Sequence, residues 1–389
     1  MKFLPITVVL VLASFAAIAS EPAGGFIETY AAGHKFNGTI LIEREGKVTY
    51  LKSFGLANFA FSVPNTPQTE YRIASITKLF TSVLVLQLSE QKQIDLNATI
   101  RTYLPIYAGE GADKVTIHQL LNHTSGIYNM DQVKSIQQAL DGGLPPYQFP
   151  YTSDQILAKF ASGRLVSTPG TTFDYNNGDY IILGKIIEHI CGKPYETVLK
   201  ENILEPLHLV HTGSLHQQMI VPQLAETYFY RDDIGQLVPD LPAYPENWYA
   251  AGSLYSTVED LRRFADALFG YKLFTRETLA LMTKPGLDDY GYGLWAYETD
   301  VKGKKLRVVK RPGQIMGSQT QLYHFMDLDI TIVILSNTGT TDLDEFVREI
   351  GVHVASEKNS TAGSSPVRVP VREEIQETLS GNLPLISLE

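Results

Sequence analysis

Apolar positions outline this chain before any chemistry is considered. Residues 38–54 alternate apolar and polar with a break at Glu45-Gly46, which predicts two strands, Gly38 to Glu43 and Lys47 to Phe54. From Ile73 to Leu88 apolar residues recur at helical spacing. The stretch to about residue 249 reads as mostly helical, with Asp154 to Phe160 and Tyr180 to Ile190 as helices and Gly192 as the stop of the second. Within it, residues 207–249 are rich in Pro, Tyr and turn formers and predict cleft-lining loops. A helix follows at Thr257 to Phe269, with Glu259 and Asp260 in its first turn, where the helix dipole favours acids. Trp295, Leu306 to Val309, Gln319 to Phe325 and Ile330 to Ser336 then read as consecutive antiparallel strands, and Asp342 to Ala355 as a final helix. Strands at both chain ends around a helical middle predict one sheet domain built from two segments, 20–75 and 250–356, around a helical domain, 76–249.

Composition narrows the setting. With 389 residues, length alone suggests about two domains, and 44% hydrophobic with 19% charged residues is ordinary for a soluble globular protein. A net charge of −10 argues against nucleic acid or anionic membrane surfaces as partners. Residues 1–19, Met1-Lys2 before an apolar run ending Ala17-Ile18-Ala19, have the layout of a secretory signal peptide cleaved after Ala19, which implies a secreted or periplasmic protein. An uncleaved anchor is the alternative, and the marginal length of the run for spanning counts against it. Cys191 is the only cysteine, so no intrachain disulfide forms, and its place on an apolar helix predicts a buried small hydrophobe. His208 and His211 have ligand-like spacing without an acidic or thiol partner nearby, so no metal and no cofactor are expected. Asn122 lies in a glycosylation sequon but is expected to be inaccessible. From Glu357 the polar run EKNSTAGSSP reads as a linker, and residues 357–389 as a tail that is disordered or packs on a neighbour.

The Ile73 to Leu88 helix carries candidate chemistry. Ser75 and Lys78 lie three apart and share a helix face, so the ammonium can reach the hydroxyl. A serine needs a base to become nucleophilic, and a lysine serves only where burial or a neighbouring cation lowers its pKa. Alone, Ser-x-x-Lys is a common accident on solvated helices. Tyr175-Asn176-Asn177 lies in a loop that breaks into a helix, where a phenol near cations would have a lowered pKa and could move a proton. The bland alternative is a surface tyrosine with Asn177 capping the helix. Lys310-Arg311-Pro312-Gly313-Gln314 falls between two strand-like runs. Gly313 permits close backbone approach, and the Gln314 N–H could then point at a developing oxyanion. Pro312, lacking an N–H, marks a strand edge; its loss removes a cleft-facing donor and leaves the ladder intact. An ordinary hairpin with a basic approach is the alternative.

In this order, SITK at 75–78, Tyr-Asn-Asn at 175–177 and the Arg-Pro-Gly segment resemble the motif set of the serine β-lactamase and penicillin-binding-protein superfamily. The likeness is greatest to its branch of class C β-lactamases, D-alanyl-D-alanine carboxypeptidases and esterases. It extends over roughly residues 34–355, through TIHQLLNHTSGI (116–127), PGTTFDYNNGDYIILGKIIEHICGKPY (169–195), AAGSLYSTVEDLRRFADAL (250–268) and TIVILSN (331–337). The resemblance implies an α/β fold of the α+β type, an antiparallel sheet flanked by helices with an all-helical domain inserted. It also implies acyl transfer through an acyl-enzyme. Ser75 attacks a carbonyl, Lys78 and Tyr175 share the proton, Asn177 orients the lysine and the substrate amide, and the N–H groups of Ser75 and Gln314 hold the oxyanion. Arg311, where the branch has Lys or His, is expected to attract an anionic substrate group, although a guanidinium cannot titrate. The hydroxyl that β-lactam carboxylates meet in the branch has no counterpart at Pro312, which favours a peptidase or esterase over a dedicated β-lactamase. The substrate class (D-alanyl peptide, β-lactam or ester) and the oligomeric state stay open. The rival reading, which Arg-Pro-Gly favours and the intact Ser75, Lys78, Tyr175 and Asn177 oppose, is a non-catalytic penicillin-binding or peptidoglycan-sensing module.

Overall fold

The computed structural model describes residues 22–356 apart from 132 and 134, so the expected signal segment and the 357–389 tail lie outside the described residues. The strands that matter for the site are β1 (Gly38–Arg44), β2 (Lys47–Phe54), β3 (Trp295–Val301), β4 (Lys304–Ile315), β5 (Ser318–Phe325) and β6 (Ile330–Ser336). They form one antiparallel sheet in the order β3-β4-β5-β6-β1-β2. The two ends of the chain meet at the β1–β6 seam, with Gly38 opposite Ser336 and Arg44 opposite Ile330. The principal helices are α1 (Pro22–Gly33), α2 (Thr77–Glu90), α3 (Asn177–Cys191), α4 (Tyr249–Gly252), α5 (Val258–Phe269) and α6 (Leu343–Ser356).

Every residue of β6 is buried, as a strand covered on both faces requires. Ile330, Ile332 and Ile334 pack with Ile27 of α1 and Phe346 and Val347 of α6. Their neighbours Val333 and Leu335 point the other way, into the core that holds α2 and α5. There Phe80 stacks on Phe264 with ring centroids 3.9 Å apart, each ring contributing about 2–3 kcal/mol through burial. The sheet, fixed from both sides, is thus the rigid wall on which α2 and β4 are mounted.

Several sequence expectations are refined. The helix expected from Ile73 begins as a 3₁₀ turn, Ala74–Ile76, and continues as α2 to Glu90. Helix α3 ends at Gly192, which takes a left-handed φ of 63°. The middle of the chain is not all-helical: residues 207–249 hold a hairpin, Tyr228–Arg231 with Gln236–Pro239, and the short strand Gly213–Ser214. Arg-Pro-Gly lies inside a strand, because β4 runs on to Ile315. Its pairing with β3 ends at Lys310, opposite Trp295, so beyond that point the β4 edge is open and Pro312 costs no ladder bond. Cys191 is half-buried at the margin of the core, not inside it. Asn122 is buried. Among the described residues no helix is long and apolar enough to cross a membrane.

Candidate active site

Ser75 sits in the 3₁₀ turn ahead of α2. Its neighbour Ala74 holds a left-handed φ of 46°, a conformation that costs a non-glycine residue energy and is found where surrounding packing imposes it. One turn on, Lys78 is fully buried, and its three donors are all used: Ser75 Oγ at 3.1 Å, Asn177 Oδ1 at 2.6 Å and the Ala251 carbonyl at 2.8 Å. The third bond depends on close contact between α3 and α4. A Cβ at Gly184 would fall 2.5 Å from the Tyr249 ring and 2.6 Å from Ala250, so only glycine lets the α4 turn carry Ala251 to the lysine. Burial lowers the Lys78 pKa to about 8; the partial charge of Tyr175 opposes this and the Arg311 cation adds to it.

Tyr175 donates its hydroxyl to Ser75 Oγ at 2.8 Å and accepts from Arg311 Nη2 at 2.5 Å. Burial alone would raise its pKa, but the charges of Arg311 and Lys78 outweigh that and bring it to about 8. Asn176, not Asn177, caps α3: its side chain accepts from the Gly178 N–H at 2.9 Å and donates to the Ile127 carbonyl at 3.1 Å. Asn177 is thereby free to face the site, with Oδ1 on Lys78 and Nδ2 donating to Asp131 Oδ2 at 2.8 Å. The other oxygen of Asp131 accepts from the Tyr147 hydroxyl at 2.6 Å.

Arg311 is placed differently from the sequence expectation. Its side chain is fully buried, with Nε donating to the Ser75 carbonyl at 2.7 Å, Nη1 to the Tyr290 hydroxyl at 2.8 Å and Nη2 to Tyr175. It faces the underside of the nucleophile turn, so no part of the guanidinium is presented to a carboxylate entering the cleft. Tyr290 is itself fully buried and meets Trp295 edge-on at 4.6 Å, which closes this end of the site.

Gly313 packs directly on the nucleophile turn: a Cβ there would lie 2.4 Å from the Ile73 carbonyl and 3.0 Å from Ser75 N. Antiparallel ladder bonds fall on alternate residues. With Ile315 opposite Ser318 closing a two-residue turn, Ile315, Gly313 and Arg311 face β5, while Pro312 and Gln314 turn their backbones to the open edge.

Behind Tyr175 lies a pair that sequence reasoning did not single out. His123 and Asp179 are both fully buried and 2.9 Å apart, and the His123 ring packs 4.5 Å from that of Tyr175. His123 Nε2 and Asp179 Oδ1 have no hydrogen-bond partner, and His123 holds a left-handed φ of 56°. Burial pushes the histidine well below and the carboxyl well above their usual ranges, which disfavours the charged form of each. Asp131 and Tyr147 were also missed. No periodicity marks them; the sole hint was that His123 and Asp179 fall in the family-like segments.

A family model described as Beta-lactamase matches residues 25–356. Teichoic acid D-alanine hydrolase of Staphylococcus aureus is 30% identical over 297 residues, covering 72% of this chain and 68% of that protein. The crystal structure of FmtA from Staphylococcus aureus superposes with a TM-score of 0.73 at 26% identity, over 86% of this chain and 89% of that one. The octameric penicillin-binding protein homologue from Pyrococcus abyssi gives a TM-score of 0.69 at 27% identity, over 86% and 76%.

Proposed function

Because the chain belongs to the Beta-lactamase family, we propose that it is a secreted serine hydrolase that forms an acyl-enzyme on Ser75 and acts on D-alanyl esters or peptides. The observation that carries this reading is the position of Ser75 Oγ, within hydrogen-bond reach of two buried groups that titrate near pH 8, Lys78 and Tyr175. Once either is deprotonated, the bond reverses: Ser75 donates its proton as it attacks the carbonyl, and that proton later passes to the leaving group. The N–H groups of Ser75 and Gln314, on either side of Gly313, receive the oxyanion, an interaction typically worth about 3–4 kcal/mol. Arg311 acts here as a positioning residue that holds Tyr175 and the nucleophile turn. In this reading the sheet domain (20–75 and 250–356) supplies Ser75, Arg311 and Gln314, and the inserted domain (76–249) supplies Lys78, Tyr175 and Asn177. Secretion rests on the signal-like segment 1–19.

The D-alanyl substrate is taken from the named activity of the Staphylococcus relative, and the half-buried carboxylate of Asp131 gives it a chemical basis. An aminoacyl group carries an ammonium, and Asp131 stands one hydrogen bond from Asn177. A cavity of about 440 Å³ beside it, with Met130, Leu144 and Phe160 in its wall, also favours D-aminoacyl groups bulkier than alanine. The test is intact-mass analysis after fluorophosphonate, fluorescent penicillin and D-alanine methyl ester. We expect one adduct, absent from Ser75→Ala, and stereoselective hydrolysis of the D-ester. A wild-type protein that takes up none of the three and hydrolyses no ester is a sensing module, and the proposal fails.

A further inference from the structure

Tyr290, whose hydroxyl holds Arg311, also backs a cavity of about 360 Å³ between the short helix Ile117–Leu121 and residues 281–292. None of Ser75, Lys78, Tyr175 and Arg311 lies in its wall. The hydrogen bonds of that wall have a fixed direction. Thr124 Oγ1 donates to Asn122 Oδ1 at 2.6 Å, which turns the Asn122 amide nitrogen toward His118 Nε2 at 3.2 Å. His118 Nε2 therefore accepts, its proton sits on Nδ1, and Nδ1 donates to the Tyr292 oxygen at 2.6 Å. Each acceptor in this chain is thus taken by the residue before it. Gln119 is oriented as firmly: in the capping box with Thr116 its Oε1 accepts the Thr116 N–H at 3.0 Å, so Nε2 is the free end. That nitrogen lies beside Gly170, where a Cβ would stand 3.0 Å from it. It has no protein partner among the described residues and is not sealed from solvent.

The charge in this wall has one sign. Lys284 is exposed and makes no ion pair among the described residues, although the chain carries a net charge of −10. Its ammonium acts on His118, which burial first and Lys284 second hold below the usual histidine range. A neutral His118 keeps the chain of donors running as described. The acids nearest in sequence, Asp288 and Asp289, are not in this wall, and Asp289 lines a different cavity. Leu281 and Leu287 supply an apolar flank and are 41% and 45% exposed. An ammonium, an amide donor and two exposed leucines around one small volume, with no carboxylate among them, match an anionic head on an apolar body.

We propose that this cavity is a second binding site, separate from the catalytic cleft, for a small amphiphilic oxyanion: a phosphate or carboxylate head on an apolar body of about the size of a phenyl ring. The head accepts hydrogen bonds from Lys284 Nζ and Gln119 Nε2, and the body lies against Leu281 and Leu287. A charge-assisted bond with one amide bond and a modest apolar contact corresponds to a Kd of about 1 mM or tighter. The occupant sits beside the segment that carries Tyr290 and not beside Ser75, so it does not compete for the nucleophile.

The experiment is titration calorimetry on the full chain. Phenyl phosphate and phenylacetate are the probes, inorganic phosphate tests the head alone, and benzyl alcohol and benzylamine are neutral and cationic controls. At least one aromatic anion should bind at least about tenfold more tightly than either control, and the tighter of the two shows which head the site takes. Lys284→Met should weaken it by at least about fivefold. Gln119→Glu is the sharper variant. Glutamate keeps the capping-box acceptor for the Thr116 N–H, so the start of the helix is retained while the donor becomes an anion, and binding should be lost. Protein blocked at Ser75 by fluorophosphonate should bind the anion as the free protein does. Anions that bind no better than the controls, or an affinity unmoved by both variants in protein of unchanged melting temperature, overturn the assignment. So does loss of binding once Ser75 is blocked, which would place the anion in the cleft. Inorganic phosphate binding as tightly as phenyl phosphate overturns the apolar half of it. Calorimetry needs no turnover, so a protein that hydrolyses no ester would fail the functional reading and leave this site standing.

Discussion

Arg311 gives the sharpest test of how this site sets its working pH. The guanidinium bridges three acceptors, the Ser75 carbonyl and the Tyr290 and Tyr175 hydroxyls, from a fully buried position. Methionine fills a similar volume without charge. Removing the cation takes away the largest influence holding the Tyr175 pKa down at about 8, and burial then pushes it back toward or beyond the ordinary value of 10. That is about two units, or about 2.7 kcal/mol, in the cost of forming the phenolate. Lys78 moves the same way, since the Arg311 charge is part of what keeps its pKa at about 8. The sign of the prediction therefore does not depend on which of the two takes the serine proton.

The assay is the second-order rate of fluorophosphonate labelling from about pH 6 to about pH 11, which reports acylation without deacylation. For the wild type the rate should rise with a midpoint near 8, as the base loses its proton. For Arg311→Met the midpoint should move up by about one to two units, with a loss of about 10- to 100-fold at pH 7 that is partly recovered at high pH. Arg311→Lys should lie between the two: it keeps a charge, but a single ammonium cannot span three acceptors. An unchanged midpoint in Arg311→Met, in protein whose circular dichroism and melting temperature show it folded, would refute the electrostatic role.

Two further outcomes follow from close contacts. Gly313→Ala places a methyl against the Ile73 carbonyl and Ser75 N, so the turn must shift, and labelling should slow by about 100-fold with a lower melting temperature; unimpaired labelling would mean that β4 yields without disturbing Ser75. Asp179→Asn should cost no more than about 1 kcal/mol in urea unfolding, because an amide can donate to a neutral His123 as the protonated carboxyl does. A loss of about 3–5 kcal/mol would instead show that the pair is ionic and that a buried histidine cation had been stranded.

What could be read from the sequence was what local geometry encodes. Ser75 and Lys78 are related by one helical turn, and Tyr175 by a loop that must break into α3, so both relations follow from spacing. The β1–β2 hairpin and the run β3 to β6 were legible because apolar alternation and turn residues mark strands one at a time. Arg311 was visible as a cation but not as a buried one. Its direction is fixed by β4 continuing past its last β3 partner and by Tyr290 waiting beneath, neither of which leaves a local trace. Asp131, Tyr147 and the His123–Asp179 pair were silent for the same reason: each reaches the site from a separate loop or helix, and only the assembled fold brings them within bonding distance.

The departure at the third motif then acquires a physical sense. A lysine at 311 would be a second buried ammonium beside Lys78, and each cation would depress the pKa of the other, so one of the two would give up its proton near neutrality. A guanidinium does not titrate in a protein, so the charge at 311 stays fixed. In the proposed reaction, proton exchange is left to Lys78 and Tyr175, both brought to about 8. A phenolate at Tyr175 is stabilised by the guanidinium and the lysine ammonium together, and the guanidinium keeps its charge when the lysine gives up its proton. In that reaction one of these two groups takes the serine proton and passes it to the leaving group, while the fixed guanidinium balances the phenolate.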